Sequence, residues 1–528
     1  MEAVLSGGPV LAATAIALLL GLLCVRVLLR QRQPGKRKKR YAPLVGSILN
    51  QAINFPRIHD YHTDQARRFK CFRLFHPSRG YYILSTNFAN YGKGSYNRDN
   101  LEDLLGDGIF GVDGEKWRHQ RKLASHEFST RNLRDYSSNI FKRDAVRLAK
   151  VISEAVSSNQ PVDIQDLIMR STMDSIFKVG LGMELDTLRG RNEEEARFSK
   201  AFDDSSELVI WRYTDVLWKV KRALNVGTEA ALRRNMTVID NFIYKIIDEK
   251  IEQMSQGRVD LMKKDDILSR FLEARQKEPE NITRKYLRDT VLNFMVAGKD
   301  TTATALSWFF YMMCKHPDAR SSGLSMAEFT ENLGLVNDLP YLHAALNETL
   351  RLYPSVPQDS KMCFSDDTLP SGFDVKAGDM VTYLPYSMGR LKDLWGDDAE
   401  DFRPERWLDE GGSLRHESPF KFTAFQTHLI PSLKRTGGPR VCLGREFAYR
   451  QMKIIAAVLL HFFKFQMADD GKDIRYRTMI TLLMQGLRLR SALDRSFWKS
   501  HTGNRLPDAN PSMKNNHMNA YGSLMVLG

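Results

Sequence analysis

The sequence predicts a mainly α-helical chain with a minor β-sheet, folded as one large domain behind an amino-terminal apolar helix. Three observations carry this. Helical periodicity dominates the hydrophobic pattern, strand-like runs are few and short, and no long linker, low-complexity stretch or repeat interrupts residues 41–495. The 528 residues would by length alone allow three or four domains. With 43% hydrophobic and 27% charged residues, a wholly disordered chain and a many-span membrane protein are both excluded. The net charge of +14 suits nucleic acid, an anionic membrane or an acidic protein, without choosing among them. The five cysteines are Cys24, Cys71, Cys314, Cys363 and Cys442, with no CxxC pair. That is too few for a disulfide framework and the wrong spacing for a zinc finger.

Taken in order, residues 1–9 form a short lumenal amino terminus and residues 10–29 a transmembrane anchor. The anchor is apolar except at Thr14 and Arg26, and as a helix it spans about 30 Å, the thickness of a bilayer core. Only Glu2 is charged before it; Arg30, Arg32, Lys36, Arg37, Lys38, Lys39 and Arg40 follow. Positive residues stay cytosolic, so the chain is expected to cross once, with its bulk in the cytosol. A cleaved secretory signal would carry its positive charge before the apolar run. Residues 30–43 form a basic hinge punctuated by Pro34, Gly35 and Pro43. Residues 44–495 are the globular domain. Within it, residues 240–254, 287–313 and 446–463 read as long helices, and residues 81–85, 380–384 and 479–484 as short strands. Residues 496–528, with Gly503, Pro507, Pro511 and Asn515-Asn516, read as a disordered tail.

Four segments carry chemistry. In Gly438-Pro439-Arg440-Val441-Cys442-Leu443-Gly444, glycines flank a cysteine just before an amphipathic helix. Gly444 would admit close backbone approach to sulfur, and the helix amino terminus would favour thiolate. Such a thiolate is a good axial ligand for heme iron and assists O–O cleavage; the plain alternative is a buried structural cysteine. In Ala297-Gly298-Lys299-Asp300-Thr301-Thr302, inside the long apolar helix, Gly298 weakens the helix by about 1 kcal/mol. Thr301 is placed to bond the Ala297 carbonyl, bending the helix and opening a groove for dioxygen and water. Thr301 would donate toward oxygen and Asp300 would help deliver protons. Glu348 and Arg351 share a helix face, and Arg406 in Phe402-Arg403-Pro404-Glu405-Arg406-Trp407 can complete a charged triad. Taken separately, that pair is more often a surface ion pair. Trp117 and Arg121, four residues apart, can hold a heme propionate; otherwise they mark an exposed basic helix.

The order of these segments resembles the cytochrome P450 heme-thiolate monooxygenases over nearly the whole chain, from the apolar segment to about Arg490. The resemblance implies a prism-shaped, mostly helical single domain that binds heme b. Cys442 would ligate the iron, with Gly438 and Gly444 framing it. Thr301 and Asp300 would serve oxygen activation. Trp117, Arg121 and Arg440 would hold propionates, and Glu348, Arg351 and Arg406 would form the structural triad. Asn87-Phe88-Ala89-Asn90-Tyr91-Gly92-Lys93-Gly94, residues 104–122 and Trp395-Gly396-Asp397-Asp398-Ala399 are similar to the plant microsomal fatty-acid ω-hydroxylases. That narrower likeness implies long-chain fatty-acid substrates for cutin, suberin or pollen-wall lipid, and residence in the endoplasmic reticulum membrane. Ile109, Phe110, Phe294, Val296, Val356 and Leu483 would form an apolar pocket wall. The chain contains no dinucleotide fingerprint, so electrons from NADPH are expected through a separate reductase. Arg118, Lys122, Lys434, Arg435 and Arg445 are candidates to meet an acidic reductase surface; each is equally well an ordinary solvated charge. Nucleic-acid binding is not expected, because no recognition module is present.

The sequence departs from that pattern before the cysteine. Arg435 stands where the family places Phe, and residues 427–437 replace a short turn. Residues 71–85 and 318–336 are shorter than usual, and the tail has no counterpart. A heme-thiolate lyase or isomerase of fatty-acid hydroperoxides shares an extended cysteine loop, but that group usually lacks Thr301 and the anchor. A chain that binds heme poorly because of the insertion is the other alternative.

Overall fold

The computed structural model describes residues 48–68, 82–128, 131–190, 193–256, 266–318, 339–370, 372–425, 439–469 and 474–493. The expected anchor, hinge, cysteine-loop insertion and tail lie outside these residues. Among the described residues no helix is long and apolar enough to cross a membrane.

The longer helices are α1 Ile58–Arg68, α2 Gly94–Leu105, α3 Gly114–Phe128, α4 Arg131–Ser157, α5 Ile164–Leu181 and α6 Glu193–Trp211. They continue with α7 Gly227–Ser255, α8 Ile267–Lys277, α9 Arg284–Met295, α10 Thr301–Lys315, α11 Pro340–Leu352 and α12 Arg445–Phe462. Among the described residues ten short strands pair antiparallel: β3 Asp359–Cys363 lies between β1 Tyr91–Gly92 and β6 Met380–Tyr383, and β10 Arg488–Leu493 lies between β2 Val162–Asp163 and β7 Phe463–Met467. Two hairpins, β4 Asp367–Leu369 with β5 Phe373–Val375 and β8 Arg475–Thr478 with β9 Leu482–Gln485, complete the small sheets. The chain is mainly helical with minor antiparallel sheet, as expected.

Local chemistry sets the helix ends. Asp163 accepts from the Asp166 N–H to start α5, and Gly182 ends it at φ 73°. Thr283 accepts from the Tyr286 N–H to start α9. The expected helix 287–313 is a continuous path through α9, a π-helical turn Val296–Asp300, and α10. Almost every residue from Thr302 to Phe310 is buried, which makes α10 the spine of the main core. A second apolar cluster with Ile83, Tyr91, Cys363 and Tyr383 packs around β1, β3 and β6.

Two strand expectations need correction. Residues 82–86 form a π-helical turn, Tyr82–Thr86, that buries the adjacent Ile83 and Leu84 together; a strand would send them to opposite faces. Of residues 479–484, only the last three belong to a strand, because 479–481 form the bend of the β8–β9 hairpin.

Candidate heme-binding site

Cys442 lies on the loop into α12. Its backbone N–H donates to the Phe425 carbonyl at 3.1 Å, and Gly444 caps the helix. Burial pushes the thiol pKa up; the Gly444 N–H, Arg121 and Arg445 oppose it. Cys442 itself is exposed on the cavity described below, where a cation at sulfur would favour the thiolate. The expected reason for Gly444 also changes. A Cβ there would sit 4.0 Å from Sγ, an ordinary contact, so what the loop supplies is the N–H and the cap. Gly438 lies outside the described residues.

Cys442 lines a cavity with about 1670 Å³ of empty space, part of it open to solvent. Ala297, Gly298, Thr301 and Thr302 line the same cavity. The Thr301 hydroxyl donates to the Ala297 carbonyl, and the Thr301 carbonyl accepts from Ser355 Oγ at 2.7 Å. The helix thus widens into a π turn where the glycine and the back-bonding threonine stand. Gly298 also admits Ile176 of α5, whose Cδ1 would lie 2.6 Å from an added Cβ. Asp300 does not line the cavity. Its carboxylate is buried beside Lys299 Nζ at 2.9 Å. Burial lifts it to about 6, Lys299 opposing and Asp203 adding to the rise.

Trp117, Arg121 and Arg440 meet on another part of the wall. Arg440 stacks over the Trp117 ring at 4.6 Å and donates to the Val112 carbonyl at 2.9 Å and to Asp113. Asp113 in turn accepts from the backbone N–H of Lys93 and Gly94. The sequence reasoning missed the neighbouring cluster. Asp359 receives Lys93 Nζ at 2.6 Å, Lys361 Nζ at 2.7 Å and the Tyr383 hydroxyl at 2.7 Å. These residues lie on three separate segments, so no spacing announced them. Three cations on the cavity wall (Lys93, Arg121, Arg440) face one lining carboxylate (Asp359), an excess of 3 − 1 = +2, with Lys361 and Asp113 engaged behind them. Burial depresses Arg121 to about 10 and Lys361 to about 7, and lowers Arg440. Arg440 Nε is buried without a hydrogen-bond partner among the described residues. An orphaned guanidinium N–H and two uncompensated buried charges fit a dianion, as the two propionates of heme provide. No group of three or more His, Cys, Asp or Glu among the described residues could hold a metal ion.

Glu348 and Arg351 are fully buried, not a surface pair. Arg351 makes two 2.8 Å bonds to Glu348 and donates to the carbonyls of Gly389, Ala399 and Asp401. Glu348 further accepts from the Arg403 N–H at 2.9 Å, the Trp407 indole at 2.8 Å and Arg406 Nε at 3.4 Å. The triad is assembled, with Trp407 as a fourth member that the sequence did not single out.

Ile109, Phe110, Phe294 and Val356 line the cavity; Val296 and Leu483 do not. Val296 is on the π turn but turned into the core, and Leu483 packs against the core from β9. Phe271, Tyr286 and Thr290 from α8 and α9 extend the wall instead. The loop carrying Ile109 and Phe110 is clamped to α9. Asn293 accepts from the Phe110 N–H at 3.2 Å and donates to the Leu105 carbonyl at 2.7 Å. Gly106 has φ 54°, and a Cβ there would fall 2.2 Å from Asp289, so only glycine fits. Of the basic residues proposed for a partner, Lys122 is exposed, Arg118 pairs with Glu115 and Arg445 with Glu446; Lys434 and Arg435 lie outside the described residues.

A family model described as Cytochrome P450 matches residues 43–490. The chain is similar to Cytochrome P450 704C1 of Pinus taeda, 48% identical over 85% of this chain and 91% of that protein. It is also similar to two Arabidopsis thaliana proteins. Cytochrome P450 704B1 is 41% identical over 87% of this chain and 95% of its own, and Cytochrome P450 94B1 is 37% identical over 85% and 89%.

Proposed function

The chain belongs to the cytochrome P450 family of monooxygenases, and on that premise we propose that it hydroxylates a long-chain fatty acid at or near the ω carbon. One oxygen atom of O2 enters the C–H bond and the other leaves as water, taking two electrons and two protons. The electrons come from NADPH through a separate reductase. Residues 10–29 anchor the chain in the endoplasmic reticulum membrane with the domain in the cytosol. The observation that carries this reading is one cavity with a cysteine sulfur, a threonine on a widened helix, a +2 wall and a mostly apolar lining.

Each residue then has a task. Cys442 would ligate the heme iron, and heme would supply the oxygen chemistry. Arg121, Arg440, Trp117 and Lys93 would hold the propionates. Thr301 presents at the cavity edge a hydroxyl, bonded to the Ala297 carbonyl, that would hold or pass a proton there. Asp300 is the nearby proton store. Ile109, Phe110, Phe294 and Val356 exclude water and accept an acyl chain. Glu348, Arg351, Arg406 and Trp407 fix the loop after α11.

The expressed full chain, reduced and exposed to carbon monoxide, should show the red-shifted band of thiolate-ligated heme, absent in Cys442→Ser. With reductase and NADPH it should convert a long-chain fatty acid to its ω-hydroxy product. A normal thiolate spectrum with no turnover on any fatty acid would sink the substrate assignment alone. Conversion of a fatty-acid hydroperoxide without NADPH would instead favour the lyase reading. Release of the chain from microsomes by alkaline carbonate would remove the anchor.

A further inference from the structure

Lys299 stands between two carboxylates from different elements. Its ammonium lies 2.9 Å from Asp300 Oδ1 and 3.0 Å from Asp203 Oδ1 on α6, above the Phe202 ring at 5.1 Å. Lys299 and Asp300 are each 1% exposed. The Asp300 oxygens make no hydrogen bond among the described residues, so the ion pair to Lys299 is what directs the carboxylate. Thr301 and Thr302 line the cavity, whereas Asp300 and Lys299 do not. The acid next in sequence to the reactive threonine is therefore drawn toward α6.

We infer that Lys299 is a positioning residue: it withholds the Asp300 carboxylate from the cavity and ties its proton affinity to α6 through Asp203. The inference rests on the oxygen-activating role proposed for Thr301 and Asp300. One cation shared by two carboxylates leaves a net charge of +1 − 2 = −1 in a buried site. Any movement of α6 that stretches the contact to Asp203 changes the charge felt by Asp300 without moving Asp300 itself. The same helix is held one turn on, where Arg477 of β8 reaches Asp204 at 2.9 Å and also Glu207. Other charges on the elements packed against the π turn are engaged elsewhere. On α5, Asp174 is taken by Thr187, Lys178 by Glu184 and Arg170 by Asp166. On α9, Arg288 spans Asp240 and Asp289, Lys285 reaches Asp289, and Arg284 reaches Asp248. On α10 the remaining charge is Lys315, at the far end. Burial lifts the Asp300 pKa, with Lys299 opposing and Asp203 reinforcing, in line with this geometry.

The signs follow. Removing the lysine charge raises the proton affinity of Asp300; removing the Asp203 charge lowers it. The test is an infrared titration of the Asp300 carboxyl in the full chain, its band identified by loss in Asp300→Asn. The midpoint should rise by about one pH unit or more in Lys299→Met, fall by a similar amount in Asp203→Asn, and stay near wild type in Lys299→Arg. The pH profile of peroxide release per O2 consumed should move in the same directions. A merely structural lysine would lower stability in both variants without opposite shifts. Unchanged midpoints, or shifts of one sign, would overturn the inference. Should Lys299→Met not fold, Asp203→Asn with Lys299→Arg decides. A wild type without the thiolate spectrum would sink the monooxygenase reading, while titration of the heme-free chain would still judge Lys299.

Discussion

Thr301 holds its own helix open: its hydroxyl satisfies the Ala297 carbonyl that the π turn frees. Thr301→Ala should leave the carbon monoxide spectrum intact but raise peroxide release per O2 several-fold. Unchanged coupling would take Thr301 out of the chemistry. Lys361 offers a second residue-scale test. Its folded pKa, about 7, lies below the ordinary lysine value because it is buried, with Asp359 only partly compensating. Between about pH 7 and the ordinary lysine range the unfolded chain holds the extra proton, so stability rises with pH across that window. The heme-free protein should show this rise in its denaturation midpoint, and Lys361→Met should flatten it. A heme-free profile equal to that of Lys361→Met would refute the assignment.

At the scale of elements, the Glu348 cluster joins α11 to two segments about forty and fifty-five residues away, at Gly389 and Arg403. Glu348→Gln strips the charge that faces Arg351 and Arg406 where water cannot replace it. Breaking a buried pair in this way costs about 3–5 kcal/mol. The urea midpoint should fall accordingly and heme retention should weaken with it. A loss below about 1 kcal/mol would mean the cluster is a surface pair after all. The two helix-like motifs fared differently at this scale. The Gly298–Thr301 spacing made the bend legible, because a glycine and a back-bonding threonine act within one turn. The burial of Glu348 and Arg351 was not legible, because ExxR looks the same on a wet face. Their partners are backbone carbonyls at Gly389, Ala399 and Asp401, which leave no mark in sequence.

Across the whole molecule, the cavity wall draws its charge from α3, the start of α2, β3 and the cysteine loop. An excess of +2 predicts that heme dimethyl ester, which lacks both negative charges, binds the heme-free chain at least about tenfold more weakly than heme, since each charged hydrogen bond is worth about 1.5–3 kcal/mol. Equal affinity would show that the basic wall serves something else. By itself the sequence determined the helical class and the bend at Gly298, and it singled out Cys442, Trp117, Arg121 and Arg440. Each of these is a local pattern whose physics acts within a turn or a loop. Only the tertiary structure decided that Lys93 and Asp359 share the wall with Lys361 paired behind them, that Val296 and Leu483 turn away from it, and that Asp300 answers to Lys299 and α6. Those outcomes depend on which distant side chains burial forces together, and low-dielectric surroundings, not spacing, set their charges.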